Sequence, residues 1–222
     1  MIDFHTHSIF SDGQLSPAEL IQRARKKGYT GLAITDHADS SNLEHIIVNM
    51  IKICTETNEV YKDIYCIPGI ELTHVPPALI GKLIKRARKL GAKIVVVHGE
   101  TIMEPVEAGT NYAAIYAGAD ILAHPGFITL EDAKLAEKKG VYLEITAKPG
   151  HNYTNGHVAN MAIKTGAKLM FGTDTHAPEN LVDDKRREAI LLGAGLDAIM
   201  VKKIIKNAQE KLEIIKKGDR AK

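Results

Sequence analysis

His5 and His7 stand one residue apart at the end of a short apolar run, in the stretch H-T-H-S. In an extended strand alternate side chains share a face, so both imidazoles can be aimed at one point. Imidazole nitrogens are good ligands for borderline divalent metals, and two on one strand make half of a coordination shell. Residues of the same chemistry recur along the chain: Asp12, the pair Asp36-His37, Glu71 with His74, His98, His124, and Asp174 with His176. Any one of them reads equally well as a turn or cap residue. Their shared position relative to the strands carries the argument.

Those positions are the ends of strand-like runs. Residues 29–35 lead into Asp36-His37, 64–70 into Glu71, 120–123 into His124 and 168–171 into the G-T-D-T-H stretch with Asp174 and His176. Residues 93–97 form a continuous β-branched run, the mark of a strand buried on both faces, and deliver His98. Between the strands lie helical stretches. The first has Ser16 as its cap, Pro17 at its first position, Glu19 in its first turn and Gly28 at its stop. Others are expected at about 42–61, 78–90, 105–118, 129–139 and 157–164. From Pro178 the chain reads as helical to its end, with Ile199, Ile204, Ile205, Leu212 and Ile215 as an apolar stripe that should cover the barrel wall. Strand and helix alternate about seven times, which predicts a mostly parallel sheet closed, or nearly closed, as a distorted (β/α)7 TIM-like barrel. In such barrels the C-terminal strand ends build the site, and nine histidines and carboxylates fall there together, as a multinuclear metal site requires.

The motifs H-T-H-S with S-D-G, I-T-D-H, G-I-E, V-V-V-H-G-E, A-H-P-G and G-T-D-T-H together resemble the PHP (polymerase and histidinol phosphatase) family over nearly the whole chain. The resemblance implies two or three divalent ions. One takes His5, His7, Glu71 and Asp174. Glu71 bridges to a second held by His98 and His124, and Asp12, His37 and His176 hold a third. Some relatives carry histidine where this chain has Asp12, so the third position departs from part of the family. Asp36 is expected to orient a ligand imidazole by accepting its other N–H. An all N/O donor set without cysteine suits Zn²⁺, Mn²⁺ or Fe²⁺.

Two ions about 3.5–4 Å apart activate a bridging water and clamp phosphoryl oxygens, so the expected reaction is hydrolysis of a small phosphomonoester by a metal-bridging hydroxide. Histidinol phosphate is the name-giving substrate of the family. The loop after the sixth strand, residues 141–146, carries Lys148, His151 and Asn152. There Lys148 would neutralise substrate phosphate and His151 would protonate the leaving alkoxide. Asn152 and His74 would line the pocket, while His45 and His157 read as structural or loop residues. Two alternatives stand: a phosphodiesterase or exonuclease on nucleotides or short nucleic acid, and a non-catalytic module of a larger assembly. The complete ligand set weighs against the module.

Composition sets the frame. With 222 residues, 45% hydrophobic and 25% charged, and no linker or low-complexity segment, the chain reads as a single domain over residues 1–222. A net charge of +2 carries no strong nucleic-acid signal. Cys54 and Cys66 lack metal or disulfide spacing and read as buried thiols. The ligands start almost at Met1, leaving no room for a cleavable signal, and no run is long enough to span a bilayer, so a cytoplasmic location is expected. The basic residues Lys216, Lys217, Arg220 and Lys222 read as a frayed, solvated tail.

Overall fold

The computed structural model describes residues 1–220. In chain order the elements are β1 (Ile2–Asp3), α1 (Pro17–Lys26), β2 (Gly31–Ile34), β3 (His37–Ala38), α2 (Leu43–Val60), β4 (Tyr65–Leu72), α3 (Pro77–Leu90), β5 (Ile94–His98), α4 (Thr110–Ala117), β6 (Ile121–Ala123), α5 (Leu130–Lys139), β7 (Tyr142–Thr146), α6 (Asn155–Thr165), β8 (Leu169–Gly172), α7 (Asp184–Gly193) and α8 (Ala198–Arg220). Local chemistry places several boundaries where the sequence puts them. The Ser16 hydroxyl accepts from Glu19 N at 3.3 Å and Thr129 from Asp132 N at 3.0 Å, each satisfying an amide that the helix cannot. Helix α3 stops at Gly91, whose φ of 109° is left-handed.

The strands pair in the order β1-β2-β4-β5-β6-β7-β8, all parallel, with β3 against the end of β4. This is the expected seven-stranded TIM-like barrel, and it is nearly closed. Strands β8 and β1 do not pair along their length. Just past their ends, however, His7 N donates to Thr175 O at 2.8 Å and Asp174 N to His5 O at 2.9 Å. The barrel is therefore sealed by hydrogen bonds at the end where the strands finish. Alternation sorts the side chains: Ile94 and Val96 of β5 face the interior with Phe4, Ala33, Ile67 and Met170, whereas Val95 and Val97 face the helices.

Four expectations change. The second strand is split into β2 and β3, because the Asp36 carboxylate between them is tied to the loop after β1. Helix α4 begins at Thr110 rather than near Pro105, since Glu100 Oε1 accepts from Gly109 N and Asn111 N and sets the helix start there. The C-terminal stretch is interrupted between α7 and α8. Helix α8 lays Ile204 and Ile205 against the wall as expected but adds Ala208, Leu212 and Ile215 to the barrel interior, while Ile199 is 76% exposed. Finally, α8 continues through most of the presumed tail. Its Asp219 accepts from Tyr65 OH at 2.7 Å and pairs with Lys93, and Lys222 lies outside the described residues. Among the described residues no helix is long and apolar enough to cross a membrane.

Candidate metal centre

Thr6 faces outward from the end of β1, its hydroxyl donating to Ala33 O at 2.6 Å, so His5 and His7 on either side turn inward. Both are fully buried. His5 Nδ1 lies 2.7 Å from Glu144 Oε1 of β7, and an ionised carboxylate can only accept, so Nδ1 carries the proton and Nε2 presents its lone pair. That Nε2 is 3.3 Å from Glu71 Oε1 and 3.9 Å from Asp174 Oδ1. His7 Nε2 is 3.3 Å from Asp174 Oδ1 and 3.6 Å from Glu71 Oε2. Burial would raise the pKa of Glu71 and Asp174, but surrounding imidazoles, His5 foremost, hold both well below the usual carboxylate range. Burial pushes His7 down to about 3, which keeps it neutral. For His5 the Glu144, Glu71 and Asp174 carboxylates outweigh burial and raise it well above the usual value. A pocket that favours a proton in this way also favours a divalent cation.

A second group is built at the ends of β2, β3 and β8. Asp12 Oδ1 lies 3.4 Å from His37 Nε2 and 3.2 Å from His176 Nε2, and the two nitrogens are 3.4 Å apart. Donors about 2.0–2.1 Å from a tetrahedral ion stand roughly 3.3–3.4 Å from one another, so this triangle has the dimensions of one face of such a site. His37 Nδ1 is taken up by Thr73 Oγ1 at 2.7 Å and Glu71 Oε2 at 2.8 Å, and His176 Nδ1 faces Asp174 O at 3.0 Å and Lys148 Nζ at 2.6 Å. The third group joins His98, His124 and His151. His98 Nδ1 donates to Gly99 O at 3.1 Å, and His124 Nε2 lies 3.9 Å from Glu71 Oε1, which also faces His5. Glu71 thus stands between the first and third groups.

The residues present fit divalent ions. His5 Nε2, both nitrogens of His7, Glu71 Oε1, His124 Nδ1 and Asp174 Oδ1 are buried without any hydrogen-bond partner. Each such atom costs about 1–3 kcal/mol unless something compensates it. Within each of the groups His5-His7-Glu71, His7-Asp12-His37-His176 and His98-His124-His151 the donor atoms lie within 4.8 Å of one another. The backbone is strained at the same place, with left-handed φ of 27° at His124 and 51° at Asp174. A cleft of about 450 Å³, lined in part by Asp12, His37, Thr73, His74 and Glu104, opens on the second group.

One expected role is displaced. Asp36 touches no imidazole: its carboxylate accepts from Ser8 N at 2.6 Å, Ser8 Oγ at 2.7 Å and Ser11 Oγ at 2.8 Å, and so fixes the loop that carries His7 and Asp12. The carboxylate that orients a ligand imidazole is Glu144. His151, expected as the acid, is buried, with Nδ1 on Thr101 Oγ1 at 2.9 Å and its ring 4.3 Å from that of His124, inside the third group. Lys148 reaches the rim, Nζ 3.7 Å from Asp174 Oδ1. Asn152 follows one turn later with its Oδ1 buried and unpartnered, and half-exposed His74 meets Glu104 at 3.1 Å. His45 lies against Phe10, and His157 Nε2 meets Ile128 O at 2.8 Å, both structural. Burial pushes the Cys66 thiol up to about 12, which suits an inert residue.

Glu144 and Glu104 are the residues the spacing does not mark. Glu144 had a signal: a carboxylate inside the apolar run Y-L-E-I-T must be paired if that strand is buried. Glu104, on the irregular segment after β5, had none.

The model of the PHP domain family matches residues 3–116. An uncharacterized protein of Methanocaldococcus jannaschii is 53% identical over 195 residues, which cover 87% of this chain and 89% of that protein. The DNA polymerase/3'-5' exonuclease PolX of Bacillus subtilis is 25% identical over 82% of this chain, which spans only 35% of that protein. Among solved structures, histidinol phosphate phosphatase of Lactococcus lactis, complexed with zinc, L-histidinol and phosphate, superposes with a TM-score of 0.62 at 16% identity. The match covers 88% of this chain and 94% of that one and shows a shared fold. With the family model covering more than half its length and a close relative covering most of it, the chain whose strand ends gather these donors belongs to the PHP domain family.

Proposed function

We propose that this protein is a metal-dependent phosphoesterase that hydrolyses a small phosphomonoester. The observation that carries the reading is the convergence of three donor groups around Glu71 and Asp174, with buried lone pairs that no protein group satisfies. His5, His7, Glu71 and Asp174 would hold one Zn²⁺, Mn²⁺ or Fe²⁺ ion, Glu71, His98 and His124 a second, and Asp12, His37 and His176 a third. Divalent ions there supply a water that is acidic near neutrality and a positive clamp for phosphoryl oxygens. The chain's own residues do the rest. Glu144 holds the His5 tautomer, Asp36 holds the loop bearing His7 and Asp12, and Lys148 offers a cation at the rim for the substrate's phosphate. His74 lines the cleft beside the second group, and Asn152, on the loop of Lys148, would line the substrate pocket. The L. lactis neighbour, solved with L-histidinol and phosphate, supports histidinol phosphate as the first monoester to try.

A second reading is phosphodiester hydrolysis on a nucleotide or nucleic-acid end. The resemblance to an exonuclease favours it, as do Phe127 and Tyr153, 67% and 74% exposed on segments after β6 and β7, which offer faces for bases to stack on. Metal-loaded protein given an aryl phosphate and the corresponding bis-aryl diester separates the two. The monoester should be cleaved much the faster, and preference for the diester would overturn the monoesterase reading in favour of the second.

A further inference from the structure

Glu104 is surrounded by imidazoles. Its Oε2 lies 3.1 Å from His74 Nε2 and 3.3 Å from His98 Nε2, and its Oε1 lies 3.4 Å from His151 Nε2. The His98 contact is longer than a charge-assisted hydrogen bond to a carboxylate. The carbonyl of Gly99 can only accept, so it fixes the His98 proton on Nδ1 and leaves Nε2 as a lone pair turned toward the carboxylate. Had Nε2 carried a second proton, the charge-assisted bond would draw the atoms to about 2.7–2.9 Å. His151 is placed alike: its Nδ1 lies 2.9 Å from the Thr101 hydroxyl, and its Nε2 looks at the same carboxylate. Separations of 3.3 and 3.4 Å are those of two donors sharing one ion, matching the Asp12-His37-His176 triangle across the centre.

The fold delivers the two residues together. Thr101, which holds His151, lies on the segment that carries Glu104, and Met103 packs within 2.9 Å of where a Cβ on Gly150 would lie. That segment is itself tied down by Glu100, which accepts from two amides at the start of α4. The family resemblance implies only His98, His124 and the bridging Glu71 at this position, whereas His98, His124 and His151 have their donor atoms within 4.8 Å of one another.

We infer that His151 and Glu104 are protein ligands of the ion held by His98 and His124, which gives that position three imidazoles. The inference rests on the metal reading proposed above. Its consequence is a preference: three imidazoles favour Zn²⁺ over the harder Mn²⁺ at this one position.

The test uses full-length protein and Zn²⁺ alone. Zn²⁺ equivalents and their dissociation constants are measured by chelator competition in wild type, His151→Asn and Glu104→Gln. Co²⁺-substituted samples supply a visible spectrum that reports on ligands directly. Thermal unfolding in excess chelator checks that each variant folds as wild type does. His151→Asn should weaken one Zn²⁺ equivalent by about 10–100-fold or more, leave the others unchanged and alter the Co²⁺ spectrum. Glu104→Gln should do the same to a smaller degree. If wild type binds ions and both variants keep every affinity and the spectrum, the assignment is wrong while the metal reading stands. If wild type binds none, the metal reading fails and this inference with it.

Discussion

His5 Nδ1 donates a hydrogen bond to Glu144 across 2.7 Å inside the barrel, and that single bond aims Nε2 at Glu71 and Asp174. Replacing Glu144 with Gln keeps an acceptor of the same shape but removes the charge, so Zn²⁺ binding should weaken by about 10–100-fold in chelator competition. Unchanged affinity would show that Glu144 only fills space. Lys148→Ala should raise KM for the phosphate ester several-fold with kcat less affected, and unchanged kinetics would remove Lys148 from the substrate site. At this scale the sequence is legible where chemistry coincides with a boundary: His5, His7, Glu71, His98, His124 and Asp174 all end strands, and a strand's end in a barrel has one place to point. Glu144 was hidden because it lies inside a strand. The role of Asp36 was misread because its partners, Ser8 and Ser11, are 28 and 25 residues away in the chain.

The strand that brings Asp174 to the centre ends in Gly172, and no other residue fits there. A Cβ at that point would stand 2.0 Å from Glu144 Oε1 and 3.1 Å from His5 Cβ. Gly172→Ala should therefore push Glu144 off His5, costing about 1–3 kcal/mol of stability in denaturant unfolding and weakening Zn²⁺ binding together. A loss of stability with full affinity would contradict the link between β8 and the His5 tautomer. Elements whose signals are local were readable, as the caps at Ser16 and Thr129 and the stop at Gly91 show. The break between β2 and β3 and the late start of α4 were not. Each is set by a side chain, Asp36 or Glu100, that reaches another segment to bond backbone amides.

As a whole, the molecule is a parallel barrel stitched shut at its site end and stoppered from outside by α8. The apolar stripe of α8 was visible in the sequence, but the same stripe would serve on the wall or at the gap, so its docking place was not. Asn207 Nδ2 donates to Leu169 O at 2.9 Å, and Leu212 reaches into the interior. Leu212→Ala should destabilise the protein by about 2–5 kcal/mol while leaving Zn²⁺ affinity intact, since it lies far from the strand ends. Weakened Zn²⁺ binding at unchanged stability would contradict that separation. The central claim is that the donors at those strand ends hold divalent ions for phosphate ester hydrolysis. It is tested most directly by phosphate release from histidinol phosphate or an aryl monoester, comparing Zn²⁺- or Mn²⁺-loaded wild type with Asp174→Asn. The account predicts release by wild type that chelation abolishes and that falls by well over an order of magnitude in the variant. Equal release by both proteins, or none from either ester by a wild type shown to carry its ions, would contradict it.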